Sequence, residues 1–445
     1  MRIHFIGIGG IGVSALAKYY LKKGWEVSGC DLAQSEITDQ LQEMGAGIRI
    51  GRPEENCVPV DTERIVYSPA VSKESLNAEN RKLKVPALSY PETLGELTKT
   101  HYTIAVSGTH GKSTTTSMIG LLLVKAGFDP TIIVGTKLKE LGDSNCRVGK
   151  GKYLVIEADE HFASFLNYWP TIIVLTTVEA DHLDYYKNLE NIVETFKKYV
   201  GHLPEDGWLV ANKDDENISE IRNVADSSQT MLFSLKQREA EEMQKLMKIP
   251  GQHNVSNALA ALSVARILKV PDVISMKSLG EYKGSWRRFE VFDVKIENCK
   301  LKIVSDYGHH PTEVKVTVEA AKQKWPDKPM WLVFQPHQYQ RTYLLWDDFV
   351  KVLSNLPVQK LILTDIYDVA GREDKELKDK VSSEKLVRAI LNTKYQIPNT
   401  IIHISTPNEV EKYLRKNIQG GEIVMVMGAG DIYNLTLSLT KAKIE

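Results

Sequence analysis

An α/β fold spread over about three domains is predicted by three features: the length of the chain, the alternation of short β-branched runs with helical stretches, and two glycine-rich turns, each set between a strand and a helix. With 445 residues the chain can bury more than one core, at roughly 150 residues per domain. The runs 3–6, 26–30, 64–67, 103–106, 153–156 and 171–175 read as buried strands, and strands separated by helices pair in parallel. The polar link Thr98-Lys99-Thr100-His101 marks a first boundary, and the stretch 278–286, with Gly280 and Gly284, reads as a hinge into a second. The domains expected are therefore 1–98, 99–285 and 286–445. The last of them carries the runs 331–334, 360–364, 400–404 and 422–427 as further strands.

Charged residues make up 25% of the chain and the formal net charge is −1, with Lys and Arg scattered. That distribution speaks against a nucleic-acid polymer or an anionic membrane as partner, and leaves a small anionic ligand open. No apolar run approaches the roughly 20 residues that span a bilayer, and the N-terminus runs straight into a strand, so no membrane insertion and a cytoplasmic location are expected. Cys30, Cys57, Cys146 and Cys299 are far apart and show no CxxC or Cys/His metal spacing; they read as ordinary buried thiols in a reducing compartment. The oligomeric state, monomer or dimer, is not specified.

The segment Gly108-Thr109-His110-Gly111-Lys112-Ser113-Thr114 follows one of these strands and precedes an apolar helical stretch at 118–124. In that context glycines let backbone N–H groups converge on phosphate oxygens, Lys112 reaches the β- and γ-phosphates, and the Ser113 hydroxyl can ligate Mg²⁺. A full GxxxxGK[ST] spacing would need glycine where Val106 stands, so the loop is the shorter GxxGKS form. The plain alternative is a glycine turn with no ligand. On its own the loop indicates a nucleotide, without naming a reaction.

The N-terminal turn Gly7-Ile8-Gly9-Gly10-Ile11-Gly12 matches GxGxxG, and Asp31 ends the second strand about 20 residues on. Alone it suggests NAD or a structural turn. Beside a phosphate loop it fits the diphosphate of a nucleotide-linked substrate better.

These turns and the segments downstream, FIGIGGIGVSALA, VSGCDL, SGTHGKSTTT, EADE, VEADHLD, PGQHNVSNALAAL, RRFE, DYGHHPTEV, FQPHQY and VMGAGDI, resemble the Mur ligases of bacterial cell-wall synthesis over nearly the whole chain. The resemblance implies an N-terminal Rossmann-like UDP-binding domain, a central P-loop ATPase-like domain and a C-terminal Rossmann-like domain that binds the amino acid. It implies phosphorylation of the lactyl carboxylate of UDP-N-acetylmuramate by ATP, then attack on the acyl phosphate by the amine of L-alanine.

The same resemblance assigns roles. Lys112, Glu157, His182, Arg288 and His309 are the catalytic set, and Ser113, Glu157 and His182 hold the metal. His182 without the family reads equally as a satisfied loop histidine, since Mg²⁺ prefers oxygen. The adenine falls to His253, Asn254 and Asn257, although by spacing His253 and Asn254 could as well be helix N-caps. Asp306 takes the ribose. Gly9, Gly10, Ile11, Gly12, Asp31, Ser68 and His110 receive the UDP-sugar. His310, His337 and Arg341 receive the amino acid, Arg341 as a bidentate partner of its carboxylate.

Three departures from the family pattern stand out. His161-Phe162 follow EADE in place of Ser-Asp, Thr177 replaces an asparagine, and Gln338 stands where QPH is usually followed by arginine. The last leaves glycine or L-serine as alternative acceptors; a related ligase that takes a peptide is a separate alternative, against which FQPHQY speaks. A UDP-sugar and ATP-binding module without turnover is the reading from another class.

Overall fold

The computed structural model describes residues 1–51, 57–71, 85–224, 229–296, 299–368, 375–393 and 400–441. Three sheets organise it. The first is parallel throughout, with spatial order Gly47–Ile50, Glu26–Asp31, Arg2–Ile6, Arg64–Tyr67, Ala87–Ser89. Chain order reverses on either side of Arg2–Ile6, and the turn that follows this strand therefore opens at the switch point where doubly wound sheets leave a crevice. Three of its five strands match the sequence reading. Gly47–Ile50 was missed because it is an edge strand of mostly exposed residues, and Ala87–Ser89 because three residues behind Pro86 give no period to read.

The second sheet has seven strands, with Tyr102–Ser107 between Ile172–Leu175 and Tyr153–Glu157, all parallel. Ile172–Leu175 is buried at every position, as a strand covered on both faces must be. The hairpin Thr131–Leu138 with Ser144–Arg147 closes one edge antiparallel. The third sheet has six strands, and only Glu290–Ile296 runs antiparallel to its neighbour. Ile423–Met427, between Cys299–Asp306 and Met330–Phe334, is fully buried and separates two apolar clusters, one around Phe334, Phe349 and Leu386, the other around Ile303, Val426 and Leu414. Truncating such a leucine to alanine costs about 2–5 kcal/mol.

The chain groups into two compact units: 1–179, 190–246 and 256–281 carry the first two sheets, and 180–189, 247–255 and 282–445 carry the third. The stretch 278–286 is not one irregular segment. Ser278 and Gly280 belong to the last turn of the helix Asp272–Gly280, where Gly280 packs against Leu246 with no room to spare for a side chain. The irregular backbone lies beyond, with positive φ at Gly284 (93°), Arg287 (56°) and Phe289 (50°).

Candidate functional site

The phosphate loop leaves the central strand of the second sheet and is braced by the neighbouring strand end. Thr109 N–H donates to the Thr177 carbonyl at 2.8 Å, His110 N–H to Thr177 Oγ1 at 3.0 Å, and Thr176 Oγ1 to the His110 carbonyl at 2.6 Å. Thr177, one of the departures from the family pattern, is thus a working part of the loop. Gly108 and Gly111 have φ of 132° and 83°. A Cβ on the first would run into Thr176 and Thr177, and on the second into the Asn257 amide. The helix Lys112–Lys125 starts at Gly111 with no side-chain cap, so its first N–H groups are left for an anion.

Lys112 lies between the loop and the segment after Tyr153–Glu157. Its Nζ donates to the Gly108 carbonyl at 2.7 Å and to both Glu160 oxygens at 2.8 and 2.9 Å. Burial penalises the ammonium, yet the carboxylates of Glu160 and Asp159 outweigh it and hold Lys112 above the ordinary lysine range. Glu160 is 3% exposed and was not singled out as the lysine's partner, because 48 residues separate the two. Ser113 Oγ donates to Glu157 Oε2 at 3.0 Å, and Gly135 N–H to Glu157 Oε1 at 2.5 Å. Two of the three expected metal ligands therefore meet, and their oxygens suit a hard cation such as Mg²⁺. His182 belongs to the other unit.

The N-terminal turn is built on Cys30 and Asp31. Gly7 and Ile8 N–H both donate to the Cys30 carbonyl, at 2.9 and 3.1 Å, and Gly9 N–H donates to Asp31 Oδ2 at 2.8 Å. Asp31 is thereby part of the turn itself, and the carboxylate that spacing offers to a ribose is engaged with Gly9. Gly10 N–H closes the turn onto the Gly7 carbonyl, and Ile11 begins the helix Ile11–Lys22. Ser68 packs on Gly7 and the Tyr90 ring on Gly12, each at about the closest approach a hydrogen allows (2.9 and 2.8 Å from an added Cβ).

In the other unit the expected residues gather around Asp181. Its Oδ1 accepts from Arg341 Nε at 3.2 Å and from His182 N–H at 2.7 Å. Burial opposes ionisation, but the Arg341 guanidinium and the neighbouring imidazoles hold the Asp181 carboxyl well below the usual carboxylate range. The expected partner of Arg341 was a substrate carboxylate; the one it holds is Asp181. His310 is likewise committed: as N-cap of the helix Pro311–Lys324 its Nδ1 accepts from Thr312 N–H at 3.3 Å, which leaves Nε2–H to donate to the Ala180 carbonyl at 3.3 Å. His337 stacks on Tyr367 at 12° and lies 5.6 Å from His309 by ring centroid. Burial lowers the two imidazoles, to about 2 for His337 and about 4 for His309.

Arg287 is fixed by Nη2 on the Gly428 carbonyl at 2.6 Å and by three rings, Tyr433, Tyr307 and Trp286, within 5.7 Å. Arg288 is 30% exposed at the side chain, lies over Tyr307 and is 3.6 Å from Glu313. Of the pair, Arg288 is the one left with reach. Asp306 accepts from Phe289 N–H at 2.8 Å and Gly308 N–H at 2.7 Å, so it shapes the turns around Arg288 rather than standing open to a ribose. His253 and Asn254 are not helix caps: the helix is Gln252–Ile267, Asn254 N–H and Val255 N–H both return to the Gly251 carbonyl, and the Asn254 amide donates to the Pro250 carbonyl at 2.7 Å.

Comparison with known proteins gives the family. The model of the Mur ligase family catalytic domain matches residues 2–102, that of the Mur ligase middle domain 106–265, and that of the Mur ligase glutamate ligase domain 287–430. The UDP-N-acetylmuramate–L-alanine ligase of Acetivibrio thermocellus is 37% identical over 99% of this chain and 96% of its own length. That of Clostridium tetani is 38% identical over 97% and 96%. Among solved structures, the UDP-N-acetylmuramate-alanine ligase MurC of Thermotoga maritima shares the fold with a TM-score of 0.78 at 23% identity over 99% of both chains. A murein peptide ligase of Psychrobacter arcticus gives 0.72 at 21% identity over 99% and 98%. Full-length likeness at this level, with all three family domains in order, makes this chain a member of the Mur ligase family.

Proposed function

We propose that the chain joins L-alanine to the lactyl carboxylate of UDP-N-acetylmuramate at the expense of ATP, in the cytoplasm, as a step of peptidoglycan precursor synthesis. The observation that carries this is the phosphate loop, with Lys112 and the Ser113–Glu157 pair around it, in a chain alike over its full length to relatives named for that reaction.

In this reading residues 1–98 hold the UDP-sugar on the turn from Gly9 to Gly12, 99–285 hold ATP, and 286–445 hold the amino acid. The loop N–H groups bind the β- and γ-phosphates, and Lys112 leaves Glu160 to follow the transferring phosphoryl group. Ser113 and Glu157 would hold Mg²⁺, which would neutralise phosphate charge; His182 is assigned to the same ion by the family resemblance alone. His110 faces the muramoyl carboxylate, and Asn257, with His253 and Asn254, borders the adenine. Arg288 supplies a further cation to the phosphoryl oxygens. His309, neutral at physiological pH because burial lowers it to about 4, can accept the proton that the attacking amine sheds. His337 shapes the amino-acid pocket, while Arg341 and His310, both engaged by the fold, position it.

Phosphate release from ATP and Mg²⁺ tests the proposal, measured with UDP-N-acetylmuramate and a panel of L-alanine, glycine, L-serine and peptide. Release that needs both substrates and is fastest with L-alanine is expected. Faster release with another acceptor would reassign the amino acid to the pocket that Gln338 leaves, and no release with any acceptor would sink the ligase reading.

A further inference from the structure

Cys30 and Cys57 are 27 residues apart in sequence, yet their sulfurs lie 2.9 Å from one another under the first sheet. His4 joins them from the adjacent strand, its Nε2 3.6 Å from Cys57 Sγ. The three donor atoms all fall within 4.8 Å of one another. His4, Cys30 and Cys57 are 1%, 3% and 6% exposed, and the two cysteines sit among Ile6, Val58 and Ile65.

We propose that His4 Nε2, Cys30 Sγ and Cys57 Sγ form a binding site for a thiophilic divalent cation, zinc(II) by its chemistry. The donor set is right for it: thiolate sulfur and imidazole nitrogen select zinc over magnesium or calcium. The spacing is close to right. With Zn–S near 2.3 Å and Zn–N near 2.0 Å, tetrahedral geometry puts nitrogen and sulfur about 3.5 Å apart, and needs the sulfurs to part by about 0.9 Å. The second contact of the imidazole points the same way. His4 Nδ1 is 2.8 Å from Ser28 Oγ, the outer hydrogen bond by which a metal-binding histidine is oriented and its tautomer fixed.

Charge decides the valence. Two thiolates and a neutral imidazole around a divalent ion sum to zero, which an apolar cluster tolerates, whereas a monovalent ion would leave a buried negative charge. Binding releases both thiol protons. A disulfide is the rival use of two adjacent sulfurs. It is not formed here: both cysteines are free, and 2.9 Å is well beyond a bonded S–S distance of about 2.05 Å. The site bears on the turn above it: the Cys30 carbonyl receives Gly7 and Ile8 N–H.

The test is a cobalt(II) titration of the reduced, chelator-treated full chain. One cobalt per chain is expected, with a thiolate-to-metal charge-transfer band in the near ultraviolet that zinc(II) abolishes on displacement. Cys57→Ser should lose the band. Ser28→Ala retains all three donors and should weaken binding about tenfold, which keeps the proposal testable if Cys57→Ser does not fold. Absence of the band in folded wild-type protein overturns the site, and so does a band that survives Cys57→Ser or an affinity untouched by Ser28→Ala.

Discussion

His309 and His337 lie 5.6 Å apart by ring centroid, and burial rather than a partner's charge keeps both neutral. For His309, lowered to about 4 against an ordinary 6.5, the unfolded chain takes up a proton that the folded one refuses. Its contribution to stability is therefore complete above about pH 6.5 and is lost as pH falls toward 4, a loss of about 3 kcal/mol. His309→Gln should make the fall in urea-unfolding stability between those two values shallower, leaving the part that His337 contributes. Superimposable pH profiles for variant and wild type would show that His309 is not held neutral by the fold. At this scale the sequence revealed what local motifs encode. Lys112 and Ser113 were legible because a glycine loop before a helix has one main chemical use. The partners were not: Glu160 reaches Lys112 across 48 residues, and Asp181 reaches Arg341 across 160. No local period records such pairs. Arg341 was taken for a carboxylate binder on sound chemistry, and the carboxylate proved to be the protein's own.

The element that concentrates these effects is the loop from Gly108 to Gly111 with the helix behind it. Gly111 combines a φ of 83° with the Asn257 amide where a Cβ would stand. A left-handed alanine costs about 1–2 kcal/mol, and the steric conflict with Asn257 adds to it. Gly111→Ala should raise the Kd for ATP by at least about tenfold. Adding Asn257→Ala should recover part of that loss, with a coupling between the two of about 0.5–3 kcal/mol in a double-mutant cycle. Strictly additive effects would place Asn257 away from the loop in solution. Strands were legible in this element because Thr103, Ile104, Ala105 and Val106 are buried together. By contrast the end of the helix Asp272–Gly280 was taken into the hinge 278–286, since a helix-terminal glycine packed on Leu246 has the same composition as a hinge.

At the scale of the molecule, the first two sheets share one compact unit although each has its own strand order. The join is polar and buried. Asn145, 1% exposed on the hairpin of the second sheet, donates from Nδ2 to the Ile11 carbonyl at 2.5 Å and to Ser14 Oγ at 3.0 Å, and accepts from Lys18 Nζ at 3.0 Å. All three partners lie on the helix Ile11–Lys22 that follows the N-terminal glycine turn. Lys18 is 4% exposed, and burial lowers it from the ordinary lysine range; its ammonium is met by that amide and, at 3.3 Å, by Gln40 Oε1. Removing one partner of a buried, charged hydrogen bond costs about 1.5–3 kcal/mol, and here the Ile11 carbonyl also loses one side-chain donor, keeping only that of Ser14 Oγ at 2.9 Å. Because that loss falls on the join and not inside either sheet, it should show in cooperativity. In calorimetry the unit is expected to melt in one transition, and Asn145→Ala to split it, with the first sheet unfolding earlier. A wild-type curve that already resolves the first sheet would show that residues 1–98 fold independently and that the Asn145 contacts link two autonomous domains. A single transition in the variant, lowered as a whole, would locate the cost inside one sheet.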